Sequence, residues 1–479
     1  MIRQFSRSWA LLGMFAVGLL AASAPAAAAL LNWTGGGTGD WDTTTVNWDN
    51  GGTPATWTNG ADTAKFSGTP VVTLTEDINA NGIVVVNGSD DVTIDGAYTL
   101  TLNGSAGTDL DGVIGTGQGQ TLRIQTDLLI QGSQNWSFSN RSGLTVYSGN
   151  ISDGAADVTV LLGGGTGRIH RFEGDNSDWS GGIDMAPGVA TIQVASDNNA
   201  LGTGNIDLDN ESLVLQAYGA DRVIGNSFTS DFAGGQQKEL RITGSQKLTV
   251  NGTLQWAGGN FKIMTVDTGA TAEFTNVISS GGNNGLRKLG GGLLVFSGDN
   301  TYSSMPTQVE NGTLIVNGTT AGQSDYTVGG AGNDATLGGE GTIGLAADQT
   351  VTVGADGTLA PGNSIGQLNV VGDVVFADGS TFAVEIDALG NSDQLAIDGD
   401  LDLQAGSALT VTGPAAAPFY VIATYTGTLT GTFDSPVLPA GYSLDYGDGT
   451  DSQVTLVPEP GTLALLGLGG LGALLRRRR

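Results

Sequence analysis

The sequence predicts an all-β protein: a right-handed parallel β-helix, or solenoid, between an N-terminal signal peptide and a short C-terminal hydrophobic helix. Three observations predict it. Glycine supplies 79 of 479 residues, well above the usual ~7%, without the triplet of collagen. Apolar and polar residues alternate in short runs such as Tyr98-Thr99-Leu100-Thr101-Leu102, Leu122-Arg123-Ile124-Gln125, Leu144-Thr145-Val146-Tyr147, Leu240-Arg241-Ile242-Thr243 and Leu248-Thr249-Val250. Period-two alternation puts the apolar side chains on one face of a strand. Thirdly, a small unit recurs, in Gly312-Thr313-Leu314, Gly341-Thr342-Ile343, Gly357-Thr358-Leu359, Ser380-Thr381-Phe382 and Ser407-Ala408-Leu409. Recurrence every ~20 to 30 residues is the mark of a solenoid, whose coils bury their apolar faces only by stacking.

The N-terminus places Arg3 and Arg7 before an apolar run from Trp9 to about Ala22, followed by Ala24-Pro25-Ala26-Ala27-Ala28-Ala29. That three-part layout is a secretory signal peptide, with cleavage expected near Ala28 or Ala29. Trp33, Trp41, Trp48, Trp57 and Phe66 then cluster ahead of the alternating segments. An open solenoid end exposes strand edges and an apolar core, so these aromatic residues are read as a cap. Indole faces also stack on sugars, which makes carbohydrate binding the competing reading.

Within the body, Asn-Gly turns recur, as at Asn103-Gly104, Asn251-Gly252, Asn311-Gly312 and Asn317-Gly318. Asn and Gly tolerate the backbone of sharp corners. From about Pro418 the recurring unit fades and Phe419-Tyr420-Val421-Ile422 follows, which suggests capping strands at the far end. The expected division is a signal peptide (1–29), an aromatic-rich cap (30–70), a parallel β-helix (71–417), capping strands (418–456) and a sorting segment (457–479).

That last segment reads Val457-Pro458-Glu459-Pro460, an apolar run from Gly461 to Leu475, then Arg476, Arg477, Arg478 and Arg479. Fifteen apolar residues make a helix of about 22 Å, short of the ~30 Å bilayer core, and the arginines favour the cytoplasmic side. The ending resembles the PEP-CTERM sorting signal, with Pro458, Glu459 and Pro460 as the motif and the four arginines as its basic cluster. The resemblance implies recognition by an exosortase, transient insertion of the helix in the inner membrane, removal of the tail, and a Gram-negative bacterium that makes exopolysaccharide.

A second resemblance lies in the body. Leu286-Arg287-Lys288-Leu289-Gly290-Gly291-Gly292-Leu293-Leu294-Val295-Phe296-Ser297-Gly298-Asp299-Asn300-Thr301-Tyr302, continuing to Asn311-Gly312-Thr313-Leu314-Ile315-Val316-Asn317-Gly318, resembles the autotransporter-associated β-strand repeat. A degenerate copy stands at Phe172-Glu173-Gly174-Asp175-Asn176-Ser177-Asp178-Trp179-Ser180-Gly181-Gly182. This implies a passenger-type β-helix. The amphipathic strands of an autotransporter's membrane barrel are not apparent, so export is assigned to the sorting tail and the secretion machinery.

Formal charge is −29, with 47 acidic and 18 basic residues. Such a surface repels phosphate backbones and excludes nucleic acid as a partner. Aspartates greatly outnumber glutamates, which fits turn chemistry. The absence of cysteine excludes disulfides, thiolate metal sites and a cysteine nucleophile.

Parallel β-helices include polysaccharide lyases and hydrolases, so carboxylate pairs require attention. Asp90-Asp91 and Asp398-Gly399-Asp400-Leu401-Asp402 are the candidates, and turn roles account for both. The single histidine, His170, is expected on the surface of a strand ladder. Gly329-Gly330-Ala331-Gly332-Asn333-Asp334 resembles the start of a calcium-binding nonapeptide but occurs once, so it is read as a turn. Gly163-Gly164-Gly165-Thr166-Gly167 lacks the lysine of a phosphate loop. No catalytic residue, cofactor or metal site is therefore assigned. The expected function is a non-enzymatic exported protein of the cell surface or extracellular matrix, adhesive or exopolysaccharide-associated; the alternative is a polysaccharide-acting β-helix lyase or hydrolase.

Overall fold

The computed structural model describes residues 29–459, apart from 61, 86–90, 105–113, 117–118, 133, 137–142, 164–166, 187, 209–210, 232–237, 258–259, 283, 303, 331 and 448–451. The expected signal peptide and C-terminal helix lie outside the described residues.

Every element described is a strand, and nearly all pairing is parallel between successive coils. A coil visits three faces in turn. Gly357–Pro361 lies on one, Gln367–Val371 on the next and Asp373–Phe376 on the third, and each stacks on the equivalent strand of the following coil. The third face is an unbroken parallel ladder, starting with Thr38–Trp41 on Val71–Leu74 and ending with Leu401–Leu403 on Leu429–Gly431. Ladder partners on successive coils stand 19 residues apart at Gln308 and Thr327 and 28 apart at Leu401 and Leu429, which brackets most of the period read from the chain.

Stacking aligns the inward side chains in columns. Val72, Ile94, Ile124, Tyr147, Phe172, Val194 and Ala217 follow one another through the long ladder, and all are buried. Each large apolar side chain withdrawn from water in this way contributes about 1.5–3 kcal/mol. Tyr147 and Phe172 stack with ring centroids 4.7 Å apart.

The aspartates act as struts between coils. Asp77 Oδ1 accepts the amide of Thr99, Asp127 Oδ1 that of Asn150, and Asp325 Oδ1 that of Thr350, each one coil further on. Asp373 Oδ1 accepts the Asp400 amide at 2.8 Å, and Asp400 Oδ1 accepts the Thr428 amide at 2.6 Å. At a corner the ladder breaks and its N–H groups lose their strand partners; a short carboxylate supplies the missing acceptor. Replacing Asp400 with alanine is expected to lower stability by about 1 kcal/mol, while asparagine, which keeps the acceptor, stays near wild type. Denaturant midpoints of the two variants check this. Equal losses would show that charge, not the strut, matters at this position.

The two repeat-like segments share one geometry. Asn300 Oδ1 accepts the amide of Ile278 at 2.8 Å, and Asn176 Oδ1 accepts the amide of Ile151 at 2.7 Å. Before them, Gly298 and Gly174 pass so close to the preceding coil that a Cβ would strike the carbonyls of Asn276 and Gly149 respectively.

Both ends depart from parallel stacking. Leu30–Trp33 pairs in parallel with Thr63–Phe66 but antiparallel with Trp48–Asn50, which carries Thr53–Ala55 as the outermost strand. The solenoid ladder thus already begins among residues 30–70. At the other end, Gln453–Pro458 lies antiparallel between Tyr420–Tyr425 and Tyr442–Asp445. Two outermost strands, Thr53–Ala55 and Ser435–Val437, contain Pro54 and Pro436. A proline removes an edge donor and hinders further strand addition.

Candidate functional site

The sorting motif begins inside the last strand. In Gln453–Pro458, Val454, Leu456 and Pro458 are buried, so Pro458 continues the inward alternation. Tyr442 stands opposite Pro458 and Ser443 opposite Val457. The Glu459 amide donates to the Gly441 carbonyl at 2.8 Å. That bond makes Gly441 and Glu459 a hydrogen-bonded pair, so Tyr442 and Pro458 form the next, non-bonded pair, where a proline's missing N–H costs nothing. Glu459 itself is exposed. It borders a cavity of about 410 Å³ lined by Phe433, Pro436, Leu438, Tyr442 and Leu444 among others. The Tyr442 hydroxyl donates to the Ala417 carbonyl at 2.7 Å, tying the outer strand to the coil below. Pro460 and Arg476, Arg477, Arg478 and Arg479 lie outside the described residues.

The carboxylate candidates do not converge. Asp398 accepts the Thr426 hydroxyl, Asp400 is a strut, and Asp402 accepts the Gln404 side-chain amide. Asp90 lies outside the described residues. A carboxylate that sequence reasoning missed is Asp393, buried beside a cavity of about 320 Å³ with Pro361, Gly362 and Glu385 on its walls. Burial pushes its carboxyl up to about 6, and Glu385 and Glu340 nearby push in the same direction. Its Oδ1 accepts the Gly366 amide at 3.0 Å and its Oδ2 the Glu385 amide at 2.7 Å. With both oxygens engaged by backbone amides, Asp393 clamps the Pro361–Gly366 bend. Among the described residues, no group of three His, Asp or Glu side chains is placed to hold a metal ion.

The expectation of a surface His170 is corrected: the side chain is fully buried. In Arg168–Phe172 the inward residues are Arg168, His170 and Phe172, and Ile169 faces outward. The aromatic column through Tyr147 and Phe172 sets the pleat, and His170 takes the place between Thr145 and Ile192 in the adjacent column. Its Nδ1 lies 3.2 Å from the Tyr147 hydroxyl and its Nε2 3.3 Å from the Gly163 carbonyl. A neutral imidazole satisfies both when Nε2–H donates to the carbonyl and Nδ1 accepts from the hydroxyl. Burial, and then the charge of Arg168, push its pKa down to about 3.

The sign of the resulting pH dependence follows. Below pH ~6.5 the unfolded chain takes up a proton that the folded chain refuses, so His170 costs stability progressively from pH ~6.5 towards 3. The loss is at most about 1.4 kcal/mol per pH unit. Asp393 has the opposite sign: its raised pKa makes the folded state the better proton binder between about 6 and 4. The readout is therefore the difference between wild type and His170→Gln. Wild type is expected to lose about 1.6 kcal/mol more than the variant between pH 6.5 and 5. Parallel curves would contradict the buried neutral imidazole.

Lys288, on the repeat's lysine-bearing strand, is fully buried too. Nζ donates to the carbonyls of Leu289 at 3.1 Å, Gly290 at 2.6 Å and, one coil on, Asn311 at 2.8 Å. Burial pushes its pKa down to about 7; three carbonyls matched to three N–H groups act the other way. The lysine closes a turn and reaches no cavity wall described above. The aromatic cluster is buried as well: Trp41, Trp48, Trp57 and Phe66 are at most 1% exposed and Trp33 8%, with ring centroids 4.9–6.0 Å apart. Trp41, Trp48, Trp57 and Phe66 have no faces free to stack on sugar, while Trp33 borders a cavity of about 340 Å³.

Residues 456–479 match the family model described as the PEP-CTERM protein-sorting motif. Over 115 residues, 24% of the chain, the sequence is 38% identical to an extracellular serine protease of Serratia marcescens and covers 10% of it; a second such protease from that organism matches to the same extent. Over 252 residues, 50% of the chain, it is 27% identical to the adhesin BmaC autotransporter of Brucella suis biovar 1 (strain 1330), covering 6% of that protein. The chain thus spans a tenth or less of the length of these curated relatives. The motif implies recognition by an exosortase, and with the similarity to autotransporter-type passengers it indicates an exported, cell-surface protein.

Proposed function

We propose that this chain is a non-enzymatic structural protein of a Gram-negative cell surface or extracellular matrix, adhesive or exopolysaccharide-associated. The secretion machinery delivers it, and an exosortase sorts it through Pro458, Glu459 and Pro460. The terminal hydrophobic helix sits transiently in the inner membrane with Arg476, Arg477, Arg478 and Arg479 on the cytoplasmic side. The observation that carries the reading is a sorting motif issuing directly from the last strand of a stacked solenoid. Aspartates spent as struts give the rod a rigid, strongly acidic surface. We also read residues 30–70 and 418–456 as caps, on the strength of their antiparallel strands and edge prolines.

The protease relatives suggest a second reading. A serine nucleophile needs an accessible base, and the one histidine is buried with both ring nitrogens engaged. The glycan-cleaving alternative has Asp393 as its best-placed carboxylate, but both its oxygens are held by backbone. Fractionation of tagged protein from wild-type and exosortase-deficient cells tests the main reading. Surface retention is expected only in the wild type, and identical fractions would remove the sorting assignment. Turnover of acidic or neutral glycans, abolished by Asp393→Asn, would replace the structural role with the enzymatic one.

A further inference from the structure

We propose that the sorting signal is latched by the fold: Pro458 becomes readable only when the end of Gln453–Pro458 peels away from Tyr442–Asp445. The inference rests on the sorting role proposed above and adds a conformational step to it. An enzyme that recognises Pro-Glu-Pro as a peptide must reach the ring of the first proline. That proline is buried on the inward face, in series with Val454 and Leu456. The acidic residue beside it is exposed, but its amide is pinned to the Gly441 carbonyl. The first two motif residues are therefore held in a register that an active-site cleft cannot share, because pairing to a neighbouring strand and binding to an enzyme compete for the same backbone.

The latch has a defined extent. Peeling as far as Val457 breaks the pairings of Glu459 with Gly441, Pro458 with Tyr442 and Val457 with Ser443, and leaves Leu456 and Thr455 paired. The strand remains anchored to Tyr420–Tyr425 through Gln453, Val454, Thr455 and Leu456. The outer strand is itself restrained by the Tyr442 hydroxyl on Ala417. Opening is thus a local event at the end of the rod, of the kind that leaves the rest of a fold intact. Tail removal beyond the latch would leave this strand in place between Tyr420–Tyr425 and Tyr442–Asp445.

The test uses the absence of cysteine from the chain. Ser443 and Val457 face each other as a hydrogen-bonded antiparallel pair, where Cα atoms lie about 5.5 Å apart, within disulfide range. The full-length double variant Ser443→Cys/Val457→Cys is followed by pulse-chase in exosortase-positive cells, with and without dithiothreitol. Cross-linked protein is expected to lose its tail at least about tenfold more slowly than reduced protein, as the competent fraction shrinks. Processing of the cross-linked form at the reduced rate would overturn the latch. The single variants serve as folding controls. Tyr442→Ala, which frees the outer strand from Ala417, tests the opposite sign: it is expected to be processed about threefold faster than wild type, and an unchanged or slower rate would overturn the proposal. Wild-type chain run in parallel in exosortase-deficient cells separates this outcome from failure of the sorting role, which would show as equal processing in both strains.

Discussion

Truncation after Glu459 is expected to move the protein from the cell surface to the periplasm and medium. The cut is placed there so that Gln453–Pro458 stays whole and the terminal sheet keeps its three strands. Loss of retention then reports on the tail alone. A cut before Gln453 would also expose the edge of Tyr420–Tyr425, with Tyr420 and Ile422 behind it, and would mix a folding defect with a sorting defect. Surface labelling and fractionation read the result. The truncated protein should be folded, released and absent from the surface fraction; continued retention would mean that the solenoid holds itself there.

The second large effect is expected at Gly318. This residue belongs to a column in which Gly298, Gly318 and Gly341 follow one another up the rod. A Cβ at Gly318 would strike the Gly298 carbonyl, and one at Gly341 the Gly318 carbonyl. These are backbone atoms, so no side-chain rotation relieves the clash; the coils must move apart. Gly318→Ala is expected to cost about 3 kcal/mol or more, at the upper end of overpacking effects. Gly37→Ala is the control, since its Cβ would meet open space and its φ is ordinary. Because a solenoid couples only neighbouring coils, hydrogen exchange in Gly318→Ala should rise around residues 290–345 and little elsewhere. A uniform rise, or none, would contradict close stacking at this column.

Much of this architecture was legible from periodicity. All five alternating runs carry a strand, with Tyr98, Thr99 and Gln125 just outside it, and each small-residue unit opens one, Gly341, Ser380 and Ser407 standing immediately before theirs. Their ladder order was not legible. Thr313 stacks on Thr336, Thr336 on Thr358, Thr358 on Thr381 and Thr381 on Ala408, whereas Gly341-Thr342-Ile343 lies on a different face. Ala335-Thr336-Leu337 fills the gap, opening on alanine where its neighbours in the ladder open on glycine or serine. A period in sequence does not say which of three faces a segment occupies.

The polar residues were harder still. Polarity alone points His170 outward, but pleat parity is set by the whole column, and Phe172 two residues on decides it. Aspartates looked like turn and solubility residues because a strut's partner lies a full coil away, as with Asp373 and Asp400. The motif Pro458-Glu459-Pro460 was plain in sequence, yet burial of its first proline depends on an antiparallel pairing with Tyr442 that no local pattern announces.

The coils advance along one axis by one strand spacing each. Thr121, Leu144, Ile169, Thr191, Val214 and Arg241 are successive partners in the long ladder, and Thr265 and Leu289 continue it. In this cysteine-free chain, paired spin labels at Thr121 and Arg241, and at Thr121 and Leu289, sample five and seven spacings. Backbone separations of about 24 Å and about 34 Å are expected, the second exceeding the first by two strand spacings. A second distance equal to or shorter than the first would mean that the chain folds back on itself, and would contradict the stacked solenoid.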